Sequence, residues 1–370
     1  MKNRKRFQIR TVHPVNLLGN KPDFSLISPH MHVLGIESSC DETSAAVISD
    51  GRLRSNIVSS QIDHRRFGGV VPELASRMHL RLIVPVVEEA LSVAGVGRGD
   101  LGGVAVTSGP GLMGSLMVGV NFAKSFAYAL GIPCVGINHM EGHIYANFLE
   151  DPKPAYPFIC LTVSGGHTQL VLVREVFRHE ILGETLDDAA GEAFDKVAKM
   201  LGLPFPGGPA IERLAREGNP SFVAFPRSMA GDGTLNFSFS GVKTAVLYWL
   251  RDHPGLATDP DGPGGRKLLA DLCASFQAAV VEVLVMKTLA ARERFGVSDV
   301  AVAGGVSANG ELRHKLTAAA SRCGFTLHVP PLEFCTDNAA MIALIGYKKL
   351  LAGAASPYGL QADPNMVMTS

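Results

Sequence analysis

Two histidines four residues apart, His139 and His143, are the best candidates for metal chemistry in this 370-residue sequence. Positions four apart lie on one face of an α-helix, so both imidazoles can approach a single ion. A zinc protease needs a glutamate directly after the first histidine, where it acts as general base. Met140 stands there instead, and Glu141 falls about 200° around the helix from His139. The pair therefore suggests a metal site and argues against peptide hydrolysis, with two structural histidines as the alternative.

Carboxylates in two other segments could take part in the same chemistry. The turn at residues 37–44 carries Asp41 and Glu42. These could bind a metal-bound phosphate or orient a nucleophile, because hard cations prefer oxygen ligands, although a solvated turn has the same composition. Asp337, at the predicted start of a helix, is a candidate third metal ligand, because two imidazoles and one carboxylate leave coordination positions open for substrate. An ordinary helix cap is its alternative.

Two glycine-containing loops could supply exposed backbone amides. Residues 164–168 (Ser-Gly-Gly-His-Thr) follow a predicted strand and could hold a phosphate or carboxylate, although a tight hairpin would use the same residues. Residues 303–310 end a predicted strand and lead into a helix, whose N–H groups and positive end favour an anionic ligand. Asn309 in this loop could read a ribose or base edge, or cap the helix.

Alternating strands and helices must position these loops. The hydrophobic pattern predicts strands at residues 33–37, 45–49, 52–59, 103–107, 133–137, 158–163, 169–173 and 299–303. It predicts helices at 71–94, 112–130, 186–201, 209–217, 242–253, 268–295, from 309, and at 336–351, with a turn at 262–265.

The second half of this pattern opens as the first half does, after a proline-rich break at residues 151–157. Each half begins with a strand, a turn of small polar residues and a second strand. Two α/β lobes with facing hairpin tips resemble the actin, hexokinase and Hsp70 ATPase-type fold, in which a nucleotide cleft lies between the lobes. We expect a first lobe at 31–150, completed by a C-terminal helix at about 340–370, and a second lobe at 155–338.

The composition is that of a soluble, ordered chain, with 46% hydrophobic and 18% charged residues. Lysine plus arginine (34) equal aspartate plus glutamate (34), so net charge neither reveals nor excludes a polyanionic partner. Six scattered cysteines predict free thiols in a reducing cytosol. The most apolar stretch, at 111–130, is interrupted by polar residues, so no membrane span is expected. Residues 1–30 are basic and lack apolar periodicity, which favours a non-core extension before Met31 over a transit peptide.

Seven segments, taken together and in order, resemble the tRNA N6-threonylcarbamoyladenosine transferase family. They are residues 35–43, 109–112, 139–143, 163–168, 237–244, 303–309 and 335–341. The resemblance extends from Met31 to about Leu350. It implies an enzyme that transfers a threonylcarbamoyl group from threonylcarbamoyl-AMP to N6 of adenosine 37 in ANN-decoding tRNAs, forming the t6A nucleoside and releasing AMP.

The resemblance also implies roles for individual residues. One divalent metal, Fe²⁺ in preference to Zn²⁺, would be held by His139, His143 and Asp337. Asp41 and Glu42 would face the reaction centre as catalytic candidates. The adenylate would contact Thr162, Val163, Ser164, Gly165, Gly166, Asp195, Gly208, Glu212 and Asn309. Implied partners are tRNA, the paralogue TsaB and the small ATPase TsaE, in the cytoplasm and without a membrane.

Three other functions fit parts of the sequence. An ATP-dependent small-molecule phosphotransferase of the same fold would use the glycine loops but gives no reason for the histidine pair. A metalloprotease is disfavoured by the position of Glu141, and a non-catalytic paralogue by the candidate metal ligands. The densest basic group could bind the tRNA backbone or form a solvated helix face. It consists of Arg65, Arg66, Arg77 and Arg81.

Overall fold

Two five-stranded sheets form the centre of the protein, for which a computed structural model describes residues 30–60, 69–253 and 263–368. The first sheet has the order β3-β2-β1-β4-β5, and the second has the order β10-β9-β6-β7-β8. The strands of the first sheet are β1 (His32–Glu37), β2 (Glu42–Ser49), β3 (Arg52–Ser60), β4 (Leu101–Gly109) and β5 (Cys134–Asn138). Those of the second are β6 (Phe158–Val163), β7 (Thr168–Glu175), β8 (Arg178–Glu184), β9 (Asp299–Ala303) and β10 (Thr326–His328).

The two sheets have the same topology. In each, the first three strands form an antiparallel meander, and two further strands are added in parallel beside the first strand. Parallel strands need crossover connections and are buried on both faces, which explains why the short apolar strands β1, β6 and β9 are almost entirely buried. The prediction of a duplicated, two-lobed α/β fold of the actin type is confirmed.

Helices pack on both faces of the two sheets. The helices of the first half are α1 (Pro72–Ala94), α2 (Met113–Leu130) and α3 (His139–Ala146). Those of the second are α4 (Ala190–Met200), α5 (Gly207–Ala215), α6 (Ser240–Asp252), α7 (Pro263–Phe295), α8 (Gly310–Cys323) and α9 (Ala339–Leu351). Side chains alternate along a strand, so Leu34 and Ile36 pack with α1 and α2 while Val33 packs with α9 on the opposite face.

The helices α3 and α9 lie between the two sheets. One hydrophobic cluster joins residues of β1, β2 and β5, through α3 and α9, to residues of β6, β7 and β9. All eight residues of α3 are buried. Close packing of α9 on the first sheet depends on Gly35, where a Cβ atom would lie 2.6 Å from the Ala339 carbonyl oxygen. These two helices therefore connect the halves of the molecule.

The segment after α9 closes one edge of the first sheet without being helical. The predicted C-terminal helix at about 340–370 is wrong beyond Leu351, because residues 352–368 form turns and extended chain. The Asp363 N–H donates to the Ser108 carbonyl (2.8 Å), and the Asn138 side-chain amide donates to the Met366 carbonyl (3.4 Å). We call residues 356–368 the closing strap. The predicted lobe boundaries stay predictions.

Other differences from the predicted elements have local causes. The strands β8 and β10 were not predicted, since β8 is rich in charged residues and β10 has three residues. The helix predicted from residue 186 begins at Ala190, because the Asp187 side chain instead accepts hydrogen bonds from Ser238 and Ser240. The predicted turn at 262–265 is wrong from Pro263 onward, where α7 begins. Residues 1–29, Arg65 and Arg66 lie outside the described residues.

One helix among the described residues, Gly264–Phe295, is long and apolar enough to cross a membrane by length and composition. It is not the stretch at 111–130 that the sequence pattern singled out. Within its most apolar window, 83% of the residues are buried inside the protein. Phe276, Val280 and Leu284 pack in the core beside the second sheet, which is typical of the core helix of a globular protein.

Candidate metal and adenylate site

The histidine pair lies on α3, directly after β5. Asn138, the last residue of β5, caps this helix by accepting hydrogen bonds from the N–H groups of Met140 (2.9 Å) and Glu141 (3.3 Å). His139 and His143 therefore stand one helical turn apart, with ring centroids separated by 4.6 Å and planes at 82°. The helical spacing predicted for the pair is present.

Asp337 approaches both histidines from the other end of the chain. Its Oδ1 atom lies 3.4 Å from His139 Nε2 and 3.2 Å from His143 Nε2. One potential ligand atom from each residue lies within 4.8 Å of the other two, and the two Asp337–histidine separations of 3.2 and 3.4 Å match ligand atoms bonded at about 2.0–2.2 Å to one tetrahedral ion. Asp337 is not the helix cap, because Asn338 accepts the hydrogen bond from Met341 N–H at the start of α9. The three side chains form a possible His-His-Asp metal site, which we call the triad.

The surroundings of the histidines fit a metal ligand set. His143 is fully buried. Among the described residues neither ring nitrogen forms a hydrogen bond, since the 3.2 Å approach of Nε2 to Asp337 Oδ1 lacks hydrogen-bond geometry, an arrangement that is costly unless another group satisfies it. His139 Nδ1 lies 3.0 Å from Glu37 Oε2 and 3.2 Å from Ser39 Oγ. Donation from Nδ1 to Glu37 leaves the Nε2 lone pair of His139 facing Asp337, as is usual for metal-binding histidines.

Glu37 is a site residue that sequence reasoning did not assign. It is completely buried at the end of β1 and also accepts a hydrogen bond from Thr107 Oγ1 (2.6 Å). Burial favours a raised pKa for Glu37, but the charge of His139 outweighs this and lowers the pKa below its ordinary value. Glu37 and His139 are 102 positions apart, so no local spacing could have paired them. The only available signal was a carboxylate at the end of a buried strand.

The charges of the triad are strongly coupled. Burial opposes protonation of His139, but Asp337 and Glu37 outweigh it and raise the pKa of His139 well above its ordinary value. For His143, burial dominates and lowers the pKa. The pKa of Asp337 falls far below its usual range, despite burial, because of the neighbouring His139 and His143. Asp337 and Glu37 thus place two carboxylates beside the two imidazoles. In this buried space an additional positive charge is favoured.

The β1–β2 hairpin tip, residues 38–41, brings Asp41 and Glu42 to this end of the first sheet. Burial, followed by the charges of Asp337 and Asp41, raises the pKa of Glu42 to about 9. The tip is fixed by buried polar contacts, since the Cys40 carbonyl lies 3.0 Å from His79 Nε2 on α1. Glu42, at the start of β2, therefore lies within the electrostatic influence of Asp337, and Asp41 is its neighbour in the tip.

The β6–β7 hairpin tip, residues 164–167, has a different construction. The Ser164 N–H donates to the His167 carbonyl (2.8 Å), and the His167 N–H donates to Ser164 Oγ (3.1 Å). Gly165 and Gly166 are exposed at the turn, and a Cβ atom on either would meet no atom of the described residues within 4 Å. Burial, then the charges of His139 and His143, lower the pKa of His167 to about 4. The glycines thus offer an open backbone surface close to the triad.

The remaining predicted adenylate contacts begin beside this tip. Thr162 and Val163 are fully buried, so their side chains belong to the core beneath it. Gly304, after β9, has φ +85°, and a Cβ atom there would overlap the Val163 carbonyl. Asp195 on α4 accepts a hydrogen bond from the Gly207 N–H (2.7 Å). Burial raises the pKa of Asp195, and Asp41 in the first lobe adds to this effect.

The α5 and α8 helices bring the last three predicted contacts together. Asn309 caps α8 by accepting from Leu312 N–H (3.0 Å), and its amide donates to Gln277 (2.8 Å) and lies 3.5 Å from Glu212. Glu212 also accepts from the Gly310 N–H (3.2 Å). Gly208, one turn earlier on α5, has open space where a Cβ would be. Capping by Asn309 is therefore observed, and its role toward a ligand stays a prediction.

Comparison with known proteins identifies the family. The family model described as "TsaD: tRNA N6-adenosine threonylcarbamoyltransferase" matches residues 52–344. A protein of that name from Moorella thermoacetica is 52% identical over 342 residues, covering 92% of this chain and 98% of the relative. Relatives of the same name from Geotalea uraniireducens and Salinibacter ruber are 55% and 54% identical, covering 90% and 91% of this chain and 96% and 99% of their own lengths.

Solved structures with low sequence identity support the fold. HypF from T. kodakarensis superposes with a TM-score of 0.56 at 14% identity, covering 88% of this chain and 48% of that protein. A full-length HypF in a phosphate- and nucleotide-bound form gives a TM-score of 0.55 at 15% identity, covering 88% and 47%. The sequence matches extend over most of the chain and of its relatives, so the chain belongs to the tRNA N6-adenosine threonylcarbamoyltransferase family.

Proposed function

We propose that this protein transfers the threonylcarbamoyl group from threonylcarbamoyl-AMP to N6 of adenosine 37 in ANN-decoding tRNAs, forming t6A and releasing AMP. The observation that supports it most is the position of the open β6–β7 tip beside the triad, in a chain with relatives of that name. A phosphotransferase is not favoured, because it gives no use to three converging metal-ligand side chains, of which the two histidines are buried.

The residues around the β6–β7 tip are suited to bind AMP, the leaving group of the proposed reaction. The exposed N–H groups of Gly165 and Gly166 are proposed to hold the phosphate of the adenylate, since backbone amides bind anions without adding a competing charge. The start of α8 adds a positive helix end near Asn309. Asp195, Gly208 and Glu212 are proposed to contact the nucleoside, with Thr162 and Val163 forming the floor.

The triad is proposed to hold one divalent ion. Two imidazoles and one carboxylate with open positions are the ligand set of many Fe²⁺ sites and of catalytic zinc sites, and we favour Fe²⁺. When bound, such an ion supplies Lewis acidity and orients an oxygen-containing substrate. Glu37 positions His139 for this role through the 3.0 Å contact at Nδ1.

Asp41 is the stronger candidate for removing the proton from the adenine amine. That amine is a weak nucleophile because its lone pair is delocalised into the ring, so a base must accept its proton as the new bond forms. Glu42, with a pKa of about 9, holds its own proton near neutral pH and is better suited to donate a hydrogen bond. The proposed division of labour is therefore Asp41 as base and Glu42 as donor.

Partners and location follow from the same proposal. A tRNA substrate needs positive charge, and the exposed Arg77 and Arg81 on α1 are candidates to contact its backbone. A TsaB-type paralogue and a TsaE-type ATPase are proposed as partners in turnover. A cytoplasmic location fits both the tRNA substrate and six cysteines that are all free.

A reconstituted reaction tests the proposal. The purified protein is incubated with threonylcarbamoyl-AMP and an ANN-decoding tRNA, with and without a chelator, and the digested nucleosides are examined by mass spectrometry. We expect t6A and an equal amount of AMP, both reduced by the chelator and restored by Fe²⁺. No t6A after addition of TsaB and TsaE proteins would refute the assignment.

A further inference from the structure

Glu141 is the one acidic residue of α3, and it points away from the triad. It stands two positions after His139, on the opposite side of the helix. Its side chain is 5% exposed, and Oε2 accepts a hydrogen bond from Lys349 Nζ at 2.6 Å. The Lys349 side chain is 22% exposed, so the ion pair is partly buried. Holding the Glu141 carboxylate out of water is costly without such a partner, and the function proposed for the triad makes no direct use of this pair.

Lys349 belongs to the helix that also fixes the third metal ligand. It lies in the last turn of α9, while Asp337 precedes the first turn and Asn338 caps it. About 18 Å of helix separates the two ends, at 1.5 Å per residue over twelve residues. Between these two ends of α9, Ile342 packs against Gly142 of α3. A Cβ atom added to Gly142 would lie 2.8 Å from Ile342 Cδ1. The contact between α3 and α9 is thus fixed at several points along its length.

The same ion pair reaches the second sheet. His179 on β8 is buried, and its Nδ1 lies 3.8 Å from Glu141 Oε1. Within the described part of the chain, neither of its ring nitrogens has a hydrogen-bond partner. Lys349 Nζ lies 5.8 Å from the ring centroid of Phe177, whose N–H donates to the Tyr145 hydroxyl on α3 (2.8 Å). Phe177 is in the β7–β8 turn, at the opposite end of β7 from the glycine tip.

We propose that Glu141 and Lys349 are positioning residues, which set how α3 is placed against α9 and β8 and thereby hold the two histidines at the correct distance from Asp337. This inference rests on the metal site of the proposed function. Packing already limits the movement of the buried helix α3, and the Glu141–Lys349 ion pair adds a directional contact on the side opposite the triad. This contact restricts rotation of α3 about its own axis, so the ligands are arranged before a metal arrives.

The test measures Co²⁺ binding, because the visible absorption of bound Co²⁺ reports coordination geometry independently of activity. The variants are Glu141→Gln, Lys349→Met and the double Glu141→Gln/Lys349→Gln. Lys348→Met is the matched control, since Lys348 is the neighbouring residue on α9 and packs over the Phe148 ring at 5.7 Å. Urea unfolding of each variant reports stability separately.

We expect either single change to weaken Co²⁺ binding by about 10–100-fold, as other residues behind metal ligands do, and to alter the absorption bands. Lys348→Met should stay within about twofold of the unmodified protein. The double variant should regain stability, because no charge is left without a partner, yet keep the weakened binding. Unchanged affinity and spectrum in folded single variants, or recovery of affinity in the double variant, would overturn the positioning role.

A separate outcome concerns the metal site itself. His143→Ala should abolish Co²⁺ binding, because it removes a ligand and leaves the Glu141–Lys349 ion pair intact. If the unmodified protein bound no Co²⁺, or if His143→Ala bound it equally well, the metal proposal would fail and the positioning role with it. If His143→Ala lost the metal while Glu141→Gln and Lys349→Met both kept it unchanged, the positioning role alone would fail.

Discussion

The β1–β2 and β6–β7 hairpin tips occupy equivalent positions in two sheets of identical topology, yet their chemistry is opposite. The first tip carries Asp41, is followed by Glu42, and is fixed by polar side chains from neighbouring helices. The second tip has no acidic residue and closes on itself between Ser164 and His167. A carboxylate pair would repel a phosphate, whereas free amides would attract it. The duplicated sheets therefore present two equivalent loops. The sequence of the first loop suits the proposed proton transfer, and that of the second suits anion binding.

The strand ends beside these tips have also diverged. β5 leads directly into α3 with its two histidines, while its counterpart β10 leads through a short helical turn to Asp337. One possible metal site is thus assembled from equivalent edges of both sheets. Changes that affect one half of the site and not the other can test this division.

Loss of a triad histidine should have the largest effect. His143→Ala removes a buried ligand, so we expect loss of bound metal and a fall in t6A formation on the order of 10³-fold, because a metal contributes several kcal/mol to such a reaction. Metal content by mass spectrometry and single-turnover rates measure this. His253→Ala, at an exposed site stacked on Trp249, should keep both. A fully active, metal-free His143→Ala protein would show that the triad is structural.

The two carboxylates of the first tip should differ from each other. Asp41→Asn should slow the single-turnover rate by about 10²–10⁴-fold, the usual contribution of a general base. Glu42→Gln should cost less than about tenfold, because Glu42 with a pKa of about 9 already holds a proton. Equal losses for the two variants would contradict the assignment of Asp41 as the base.

Substitutions of two glycines in the second lobe should separate an effect on substrate binding from an effect on folding stability. Gly165→Val should raise the KM for threonylcarbamoyl-AMP about tenfold with an unchanged melting temperature, because the new side chain meets open space but obstructs the amides. Gly304→Ala should instead destabilise the fold by about 1–3 kcal/mol, since φ is +85° and the Val163 carbonyl blocks a Cβ. Thermal unfolding and initial-rate kinetics distinguish them. A change in KM alone for Gly304→Ala would argue against this reasoning.

The smallest expected effect concerns acid stability. The pKa of His167 is about 4 in the folded protein, against an ordinary value of 6.5. Between these pH values the unfolded chain binds the additional proton, so His167 lowers the stability as pH falls from 6.5 toward 4. His167→Gln should remove this loss and gain on the order of 1 kcal/mol at pH 5 relative to pH 7.5. Urea unfolding at both pH values measures it, and an equal effect at both would exclude titration of His167.

Local patterns in the sequence were sufficient for the strands that form both hairpins and for the helical spacing of His139 and His143. They were insufficient where a distant partner decides the structure. The turn before Ala190 depends on Ser238 and Ser240, which lie about fifty residues away. Ligand chemistry made Asp337 a candidate partner of the histidines, but its local context also fitted a helix cap, and only the family resemblance favoured the metal role.

The position of a residue on its helix or strand was easier to predict than the distant partner that stabilises it. The sequence placed Glu141 correctly on the side of α3 away from the metal, but nothing in it indicated Lys349, 208 positions later. Glu37 was visible as an acid at the end of a strand, and only the fold brings it to His139. Long-range pairs of this kind require the packing of both sheets around α3.

The position of α9 and the closing strap has a consequence for biosynthesis. β1 is synthesised early, but Gly35 is covered by α9 and the Asn138 cap of α3 is held by Met366. One apolar face of the first sheet therefore stays uncovered until α9 has been synthesised. Prematurely terminated chains should be degraded quickly and hold no metal, which pulse-labelling of chains stopped before Asp337 would reveal. Incorporation of the metal would then mark a finished protein.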